Sequence, residues 1–239
     1  MNWTTYSDPE STAEACAAYI LSSLEMSLAG DGNATLAVSG GSTPKLMFQS
    51  MVRSGFDWRR VQLFWVDERC VPPTDPESNY RMTDEYLIQP ARIPQRNVHR
   101  IHAELPPDIA ARRYEEEIIE VFGLEAGELP HFDVVHLGVG SDSHTASLFP
   151  GDPMIENRDR IAASVHPPKI ARSRVTLLPG VLLSARHAAV LVAGADKAQA
   201  MKHVFQDAYA PLDYPAQIIT HDSRRASWFL DAAAAESLG

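Results

Sequence analysis

The strongest constraint on this chain is a recurring order: a short apolar run, a polar or glycine-rich turn, then a helix-forming stretch. Thr35–Val38 (TLAV) leads into Ser39-Gly40-Gly41-Ser42, then Thr43, which can cap a helix with Pro44 at its first position. Val61–Val66 (VQLFWV) ends at Asp67-Glu68-Arg69, and a helix over about Ser78–Ile88 follows a loop holding Pro72, Pro73 and Pro76. Phe132–Leu137 (FDVVHL) ends at Gly138-Val139-Gly140. Runs this short and continuously apolar read as strands buried on both faces. Their alternation with amphipathic helices predicts an α/β layered fold around a largely parallel sheet.

The rest of the chain extends the pattern. Asp8, Pro9 and Glu10 open an alanine-rich helix that stops near Gly30. Pro107 opens another, stopped by Gly123 after Phe122. Arg174–Leu178 and Ala188–Ala193 read as further extended segments, Lys197–Phe205 as a helix, and Trp228–Leu230 as a last strand. Thr145 onward (TASLF) reads as a helix start. The chain reads as one unit, 1–239, in which about 77–122 carries more helix than strand and can form a lid or subdomain. Trp58, Trp65 and Trp228 read as core or subdomain contacts, and His136, inside an apolar strand, as a satisfied core residue.

Charge and cysteine usage narrow the function. Lys and Arg number 21 against 31 Asp and Glu, a net charge of −10. A basic nucleic-acid surface is therefore not expected, and an anionic ligand needs local cations that override the global field. Cys16 and Cys70 make neither a disulfide framework nor a metal site. The polar, acidic N-terminus has no signal-peptide pattern, and the apolar run at Ala188–Ala193 is far shorter than the ~20 residues of a membrane span. The expected location is the cytoplasm, with no membrane partner. No sequence feature specifies an oligomeric state.

Three strand ends carry polar or glycine-rich sequence, and in such sheets ligands bind beyond the carboxyl ends of strands. Gly40 and Gly41 let backbone N–H groups approach an anion, the helix start adds unpaired donors, and Ser42 and Thr43 add hydroxyls. The spacing is not that of a P-loop. Gly138 and Gly140 imitate the first two glycines of a dinucleotide fingerprint, but Ser143 stands at the third, so a nicotinamide enzyme is not expected. His144, beyond that turn and two residues after Asp142, is a candidate general base. Arg69 offers a planar fork for a phosphate or carboxylate, and Asp67 or Asp142 can orient the imidazole. Lys169, Arg172, Arg174, Lys197 and Lys202 can each complete an anion site. A serine-nucleophile elbow, G-x-S-x-G, is absent.

These segments resemble the 6-phosphogluconolactonase family. The resemblance is carried by SGGSTP at Ser39–Pro44, VDERCVP at Val66–Pro72, SNYRM at Ser78–Met82, LGVGSDSHTASLFPG at Leu137–Gly151 and GADKA at Gly194–Ala198. It spans almost the whole chain. DERCVP, SNY and HTASLFP favour the lactonase branch over the related glucosamine-6-phosphate deaminases, whose D-E-Y and H-I-A-F-N-E-P pairing is not here. The resemblance implies a Rossmann-like three-layer sandwich with a mostly parallel sheet and a smaller accessory helical subdomain. It implies hydrolysis of 6-phospho-D-glucono-1,5-lactone, a phosphorylated sugar lactone, without metal or organic cofactor. His144 then matches the family's general base. Gly40, Gly41, Ser42, Thr43 and Arg69 match its phosphate- and substrate-contacting positions, and Arg174 and Lys197 match more loosely. The sequence departs from G-x-D-G-H-T-A-S at Ser143, where the family carries glycine, and Ser141 replaces a common acidic residue. Two other readings accompany this one: an isomerase or deaminase on the same scaffold, and a sugar-phosphate-binding protein without catalysis.

Overall fold

A computed structural model describes residues 3–167, 172–223 and 225–238. In chain order its first half comprises β1 (Trp3–Tyr6), α1 (Pro9–Ser27), β2 (Ala34–Val38), α2 (Ser42–Arg53), β3 (Val61–Trp65) and β4 (Asp67–Arg69). Then come α3 (Asn79–Thr83), a π-helical turn at Asp84–Ile88 leading into α4 (Gln89–Ala91), β5 (Val98–His99) and α5 (Pro107–Phe122). The second half comprises β6 (Val134–Leu137), β7 (Ala162–Val165), β8 (Arg174–Leu177), α6 (Pro179–Ser184), β9 (His187–Val192), α7 (Ala198–Gln206), α8 (Gln217–His221) and β10 (Ala226–Asp231).

Seven strands form one sheet in the order β1-β10-β9-β6-β2-β3-β5, every pairing parallel. Helices cover both of its faces, as the alternation requires. Its middle is almost sealed from water: all four residues of β6 are buried, as are four of the five in β2 and in β3. A second, antiparallel sheet runs β4-β8-β7. Among the described residues no helix is long and apolar enough to cross a membrane.

The strand order fixes where a ligand can go. From β2 the chain builds outward through β3 to β5, and from β6 it builds the other way through β9 to β10. The order therefore reverses between β2 and β6, where the loops leaving their carboxyl ends splay apart and open a crevice. Those two loops are Ser39–Gly41 and Gly138–His144.

Several expectations shift. The edge strand β1 has no apolar run behind it, since three of its four residues are exposed, and only pairing with β10 makes it a strand. Helix α2 begins two residues earlier than expected, at Ser42 rather than Pro44. Gly41, at φ 130°, occupies the cap that Thr43 was expected to fill, and no side chain caps the helix. The TASLF segment forms tight turns rather than a helix, with Thr145 bridging Leu148 and the Ser147 amide donating to Thr176 Oγ1 at 3.2 Å. Of the helical stretch 77–122, α3 and the π-turn pack against α2, β5 joins the main sheet beside β3, and α5 lies against β7. Tyr114 fastens α5 to β3: its hydroxyl donates to the Trp65 carbonyl at 2.6 Å and accepts the Trp65 amide at 2.9 Å.

Candidate active site

The crevice at the switch point holds about 280 Å³. Its walls include Ser39–Pro44 from the turn into α2, Asp67 and Arg69 from β4, Asn79 from α3, Gly138–Gly140 and His144 beyond β6, and Lys197 before α7. Three separate strand ends and the start of a late helix thus face one hollow.

The turn into α2 is built to present amides. Gly41 takes a φ of 130°, a region that glycine alone enters without strain. Because no side chain caps α2, its first N–H groups remain free for an anion, and the helix dipole favours negative charge there. Gly40 is constrained differently: a Cβ there would lie 1.9 Å from Asn79 Oδ1. The Asn79 amide, held by Nδ2 donating to the Asp67 carbonyl at 2.9 Å, occupies the space that glycine leaves.

Asn79 has no role in the sequence reading, although its SNYRM segment carries part of the resemblance. The signal was the neighbouring Glu68. This carboxylate, 2% exposed, accepts the amides of Arg69, Asn79 and Tyr80 and the Ser78 hydroxyl, at 2.7 to 3.0 Å. Burial pushes its pKa up, against those four donors. Glu68 thereby clamps the start of α3 onto β4 and brings the DER and SNY segments together.

His144 sits on a closed loop. Gly140 N donates to the His144 carbonyl and Ser143 N to the Gly140 carbonyl, each at 2.9 Å. His144 Nδ1 lies 2.5 Å from Asp142 Oδ1, the ring packs 4.5 Å from the Phe149 ring, and the side chain keeps 32% of its surface exposed. Burial of Asp142 opposes its ionisation, but the hydrogen bond and charge of His144 outweigh that and hold its carboxyl below the usual range. An ionised carboxylate only accepts, so His144 Nδ1 is the donor of this bond. Of the two acids offered to orient the imidazole, the structure puts Asp142 against it. Asp67 instead accepts the Ser147 hydroxyl at 2.6 Å and lines the crevice wall.

Ser143 takes a φ of 66° and is 1% exposed, its carbonyl accepting the Ala216 amide at 2.9 Å. A left-handed serine is strained by roughly 1–2 kcal/mol. Ser143→Gly should therefore raise the urea midpoint by an amount equivalent to about 1 kcal/mol. A lower midpoint would show that the buried side chain stabilises the loop more than the backbone strains it.

The cations divide. Arg69 lines the crevice and donates through Nη1 to the Glu77 carbonyl at 2.6 Å. Lys197 lines it too, 2.9 Å from Asp196 Oδ2. Arg174 stands directly across from Arg69 in the β4–β8 register and is not among the residues that line the crevice. Burial first, and the Arg69 charge second, push its pKa down, and its buried Nη1 has no partner among the described residues. Arg172 pairs with the Glu77 carboxylate at 2.5 Å. Lys169 lies outside the described residues.

His136 is buried as expected but only half satisfied. Its Nδ1 accepts the Ser39 amide at 3.3 Å, while Nε2 has no partner among the described residues.

Comparison with known proteins identifies the family. The family described as glucosamine-6-phosphate isomerases/6-phosphogluconolactonase matches residues 7–228. A 6-phosphogluconolactonase of Synechocystis sp. is 37% identical over 212 residues, 88% of this chain and 87% of that protein. A 6-phosphogluconolactonase of Haemophilus influenzae is 34% identical over 209 residues, covering 85% and 87%. The solved 6-phosphogluconolactonase of Trypanosoma brucei superposes with a TM-score of 0.88 at 27% identity, covering 100% of this chain and 98% of the other. A family match over residues 7–228 and relatives above one-third identity across most of the chain place this protein in the glucosamine-6-phosphate isomerase/6-phosphogluconolactonase family.

Proposed function

We propose that this chain hydrolyses 6-phospho-D-glucono-1,5-lactone to 6-phospho-D-gluconate, with His144 as general base. The observation that carries this reading is the shared crevice: an imidazole held at Nδ1 by Asp142 lines the same hollow as Gly40, Gly41 and the start of α2. One end supplies a proton acceptor, the other a seat for an anion. The curated relatives, 6-phosphogluconolactonases by name, support the same reaction.

A δ-lactone is an activated ester, so water can attack it without a covalent enzyme intermediate. His144 Nε2 takes a proton from the water as its oxygen bonds to the ring carbonyl carbon. The tetrahedral oxyanion then collapses, the ring C–O bond breaks, and the imidazolium returns the proton to the departing ring oxygen. Asp142 stabilises the imidazolium and holds its tautomer. Backbone amides of the Gly138–His144 loop are the candidate oxyanion donors. The Gly140 amide is already engaged by the His144 carbonyl, so it is not one of them.

Gly40, Gly41, Ser42 and Thr43, with Arg69 and Lys197, hold the phosphate and so keep the reacting bond in register. Arg174, across from Arg69, adds positive field. Like charges directly opposed across a strand pair destabilise it, and an anion on Arg69 relieves that repulsion. Arg69→Ala should weaken 6-phosphogluconate about 10–100-fold, as expected for a hydrogen-bonded charge, and leave the unphosphorylated acid unaffected. Isothermal titration of both acids checks this, and equal losses would remove Arg69 from the phosphate site.

The direct test is disappearance of fresh 6-phosphogluconolactone, corrected for its spontaneous hydrolysis. Acceleration by the wild-type chain supports the reading. Release of ammonia from glucosamine 6-phosphate instead would assign the deaminase reaction. Tight binding of 6-phosphogluconate with no acceleration would leave a binding protein.

A further inference from the structure

His136 is the least expected residue in the middle of the sheet. It is fully buried on β6, the strand between β2 and β9, and pairs with Ala189 of β9. Burial pushes its pKa down to about 3, so the imidazole is neutral. Its Nδ1 accepts the Ser39 amide, so its proton is on Nε2, and that N–H has no partner among the described residues. A leucine here would leave no such orphan. Packing alone therefore does not account for a histidine at this position.

The ladder explains what the imidazole does. The β2–β6 register runs through Leu36↔Val134 and Ala37↔Val135 and stops there. Beyond it the Ser39 amide turns to the His136 side chain, and the Ser39 hydroxyl donates to the His136 carbonyl at 3.0 Å. The last residue before Gly40 is thus fastened twice to position 136. Ser39 is 5% exposed and borders the crevice, so its orientation sets the direction in which the next amides leave the strand.

We infer that His136 is a positioning residue for the anion-binding turn: its Nδ1 takes over from the backbone ladder where β2 and β6 diverge, and so aims the Gly40–Gly41 amides and the start of α2 into the crevice. The inference rests on the reading that this turn holds the substrate's phosphate. His136 touches neither substrate nor the reacting atoms, and His144 is on the other loop.

The test compares the lactone of 6-phosphogluconate with unphosphorylated gluconolactone in wild type, His136→Leu, His136→Asn and His136→Gln. Asn can return an acceptor close to the Nδ1 position, whereas Gln places its amide further out, near Nε2. In His136→Leu the phosphorylated substrate's kcat/KM should fall about tenfold through KM, with kcat and the unphosphorylated reaction little changed. His136→Asn should recover to within about threefold of wild type, and His136→Gln should behave as Leu. If Leu does not fold, the Asn–Gln contrast gives the same answer. Equal losses for both lactones, an unchanged phosphate preference in Leu, or no difference between Asn and Gln would overturn the inference.

Failure of the underlying reading shows separately, as wild-type protein that accelerates neither lactone. The His136 series is then read by calorimetry with 6-phosphogluconate and gluconate. A tenfold loss confined to the phosphorylated acid in Leu, restored in Asn, keeps the positioning role. An acid that fails to bind wild type, or binds every variant equally, ends it.

Discussion

His144→Ala leaves a folded protein whose kcat for 6-phosphogluconolactone falls ~10²–10⁴-fold, the range general-base assistance supplies. At 1.36 kcal/mol per tenfold that is about 3–5 kcal/mol of transition-state stabilisation. KM should change little, because the phosphate seat is on the other loop. Folding should be spared for a stated reason: the imidazole keeps 32% of its surface and its Asp142 partner 50%, so deleting the ring strands no buried charge. Loss of the half-buried ring and its contacts with Asp142 and Phe149 should cost about 1 kcal/mol, the centre of the range for single substitutions. Stopped-flow turnover with a denaturation curve on the same preparation checks both halves. Undiminished kcat in a folded variant would remove His144 from the base role, and a collapsed midpoint would recast it as a structural residue.

Much of this site was legible in the sequence because its two halves are local. A strand, a glycine pair and a helix start are adjacent along the chain, and so are Asp142 and His144, two residues apart. The choice between Asp67 and Asp142 was not legible. Both stand at strand ends, and only the fold shows that Ser147 occupies Asp67 while Asp142 meets Nδ1. Asn79 was hidden for a similar reason. Its value comes from Glu68, eleven positions earlier, clamping α3 against β4 so that the carboxamide fills the space beside Gly40. Arg174 looked like one more free cation until the register set it opposite Arg69. The strands that escaped prediction, β1, β4, β5 and β7, lack the long apolar runs of the central ones. Their strand character comes from pairing with β10, β8, β3 and β8 respectively, a property of the sheet rather than of the segment.

The glycines of Gly138-Val139-Gly140 look equivalent in sequence, and the structure separates them. At Gly138 an added Cβ would find its nearest atom, the Leu191 carbonyl oxygen, 3.9 Å away, which is ordinary contact. At Gly140 it would lie 2.1 Å from His144 Nδ1, 2.2 Å from Cε1 and 2.7 Å from Asp142 Oδ1. No atom fits there while the dyad exists. Gly140 does not have a positive φ, so the conflict is with side chains alone. The ring is the movable partner, since the Gly140 amide is tied to the His144 carbonyl at 2.9 Å and the backbone cannot easily retreat. Gly140→Ala should thus swing the imidazole off Asp142, with kcat falling at least ~10²-fold, as if the base itself were removed. The affinity for 6-phosphogluconate should stay within about threefold, because the turn into α2 is untouched. Gly138→Ala, two residues away, should keep kcat within about threefold of wild type. Adding Gly140→Ala to His144→Ala should then lower kcat hardly at all, since two changes that disable one group do not add. Full activity in Gly140→Ala would mean that the ring need not stand where the structure puts it, and a further large loss in the double variant would mean that Gly140 acts on catalysis by a route other than the imidazole.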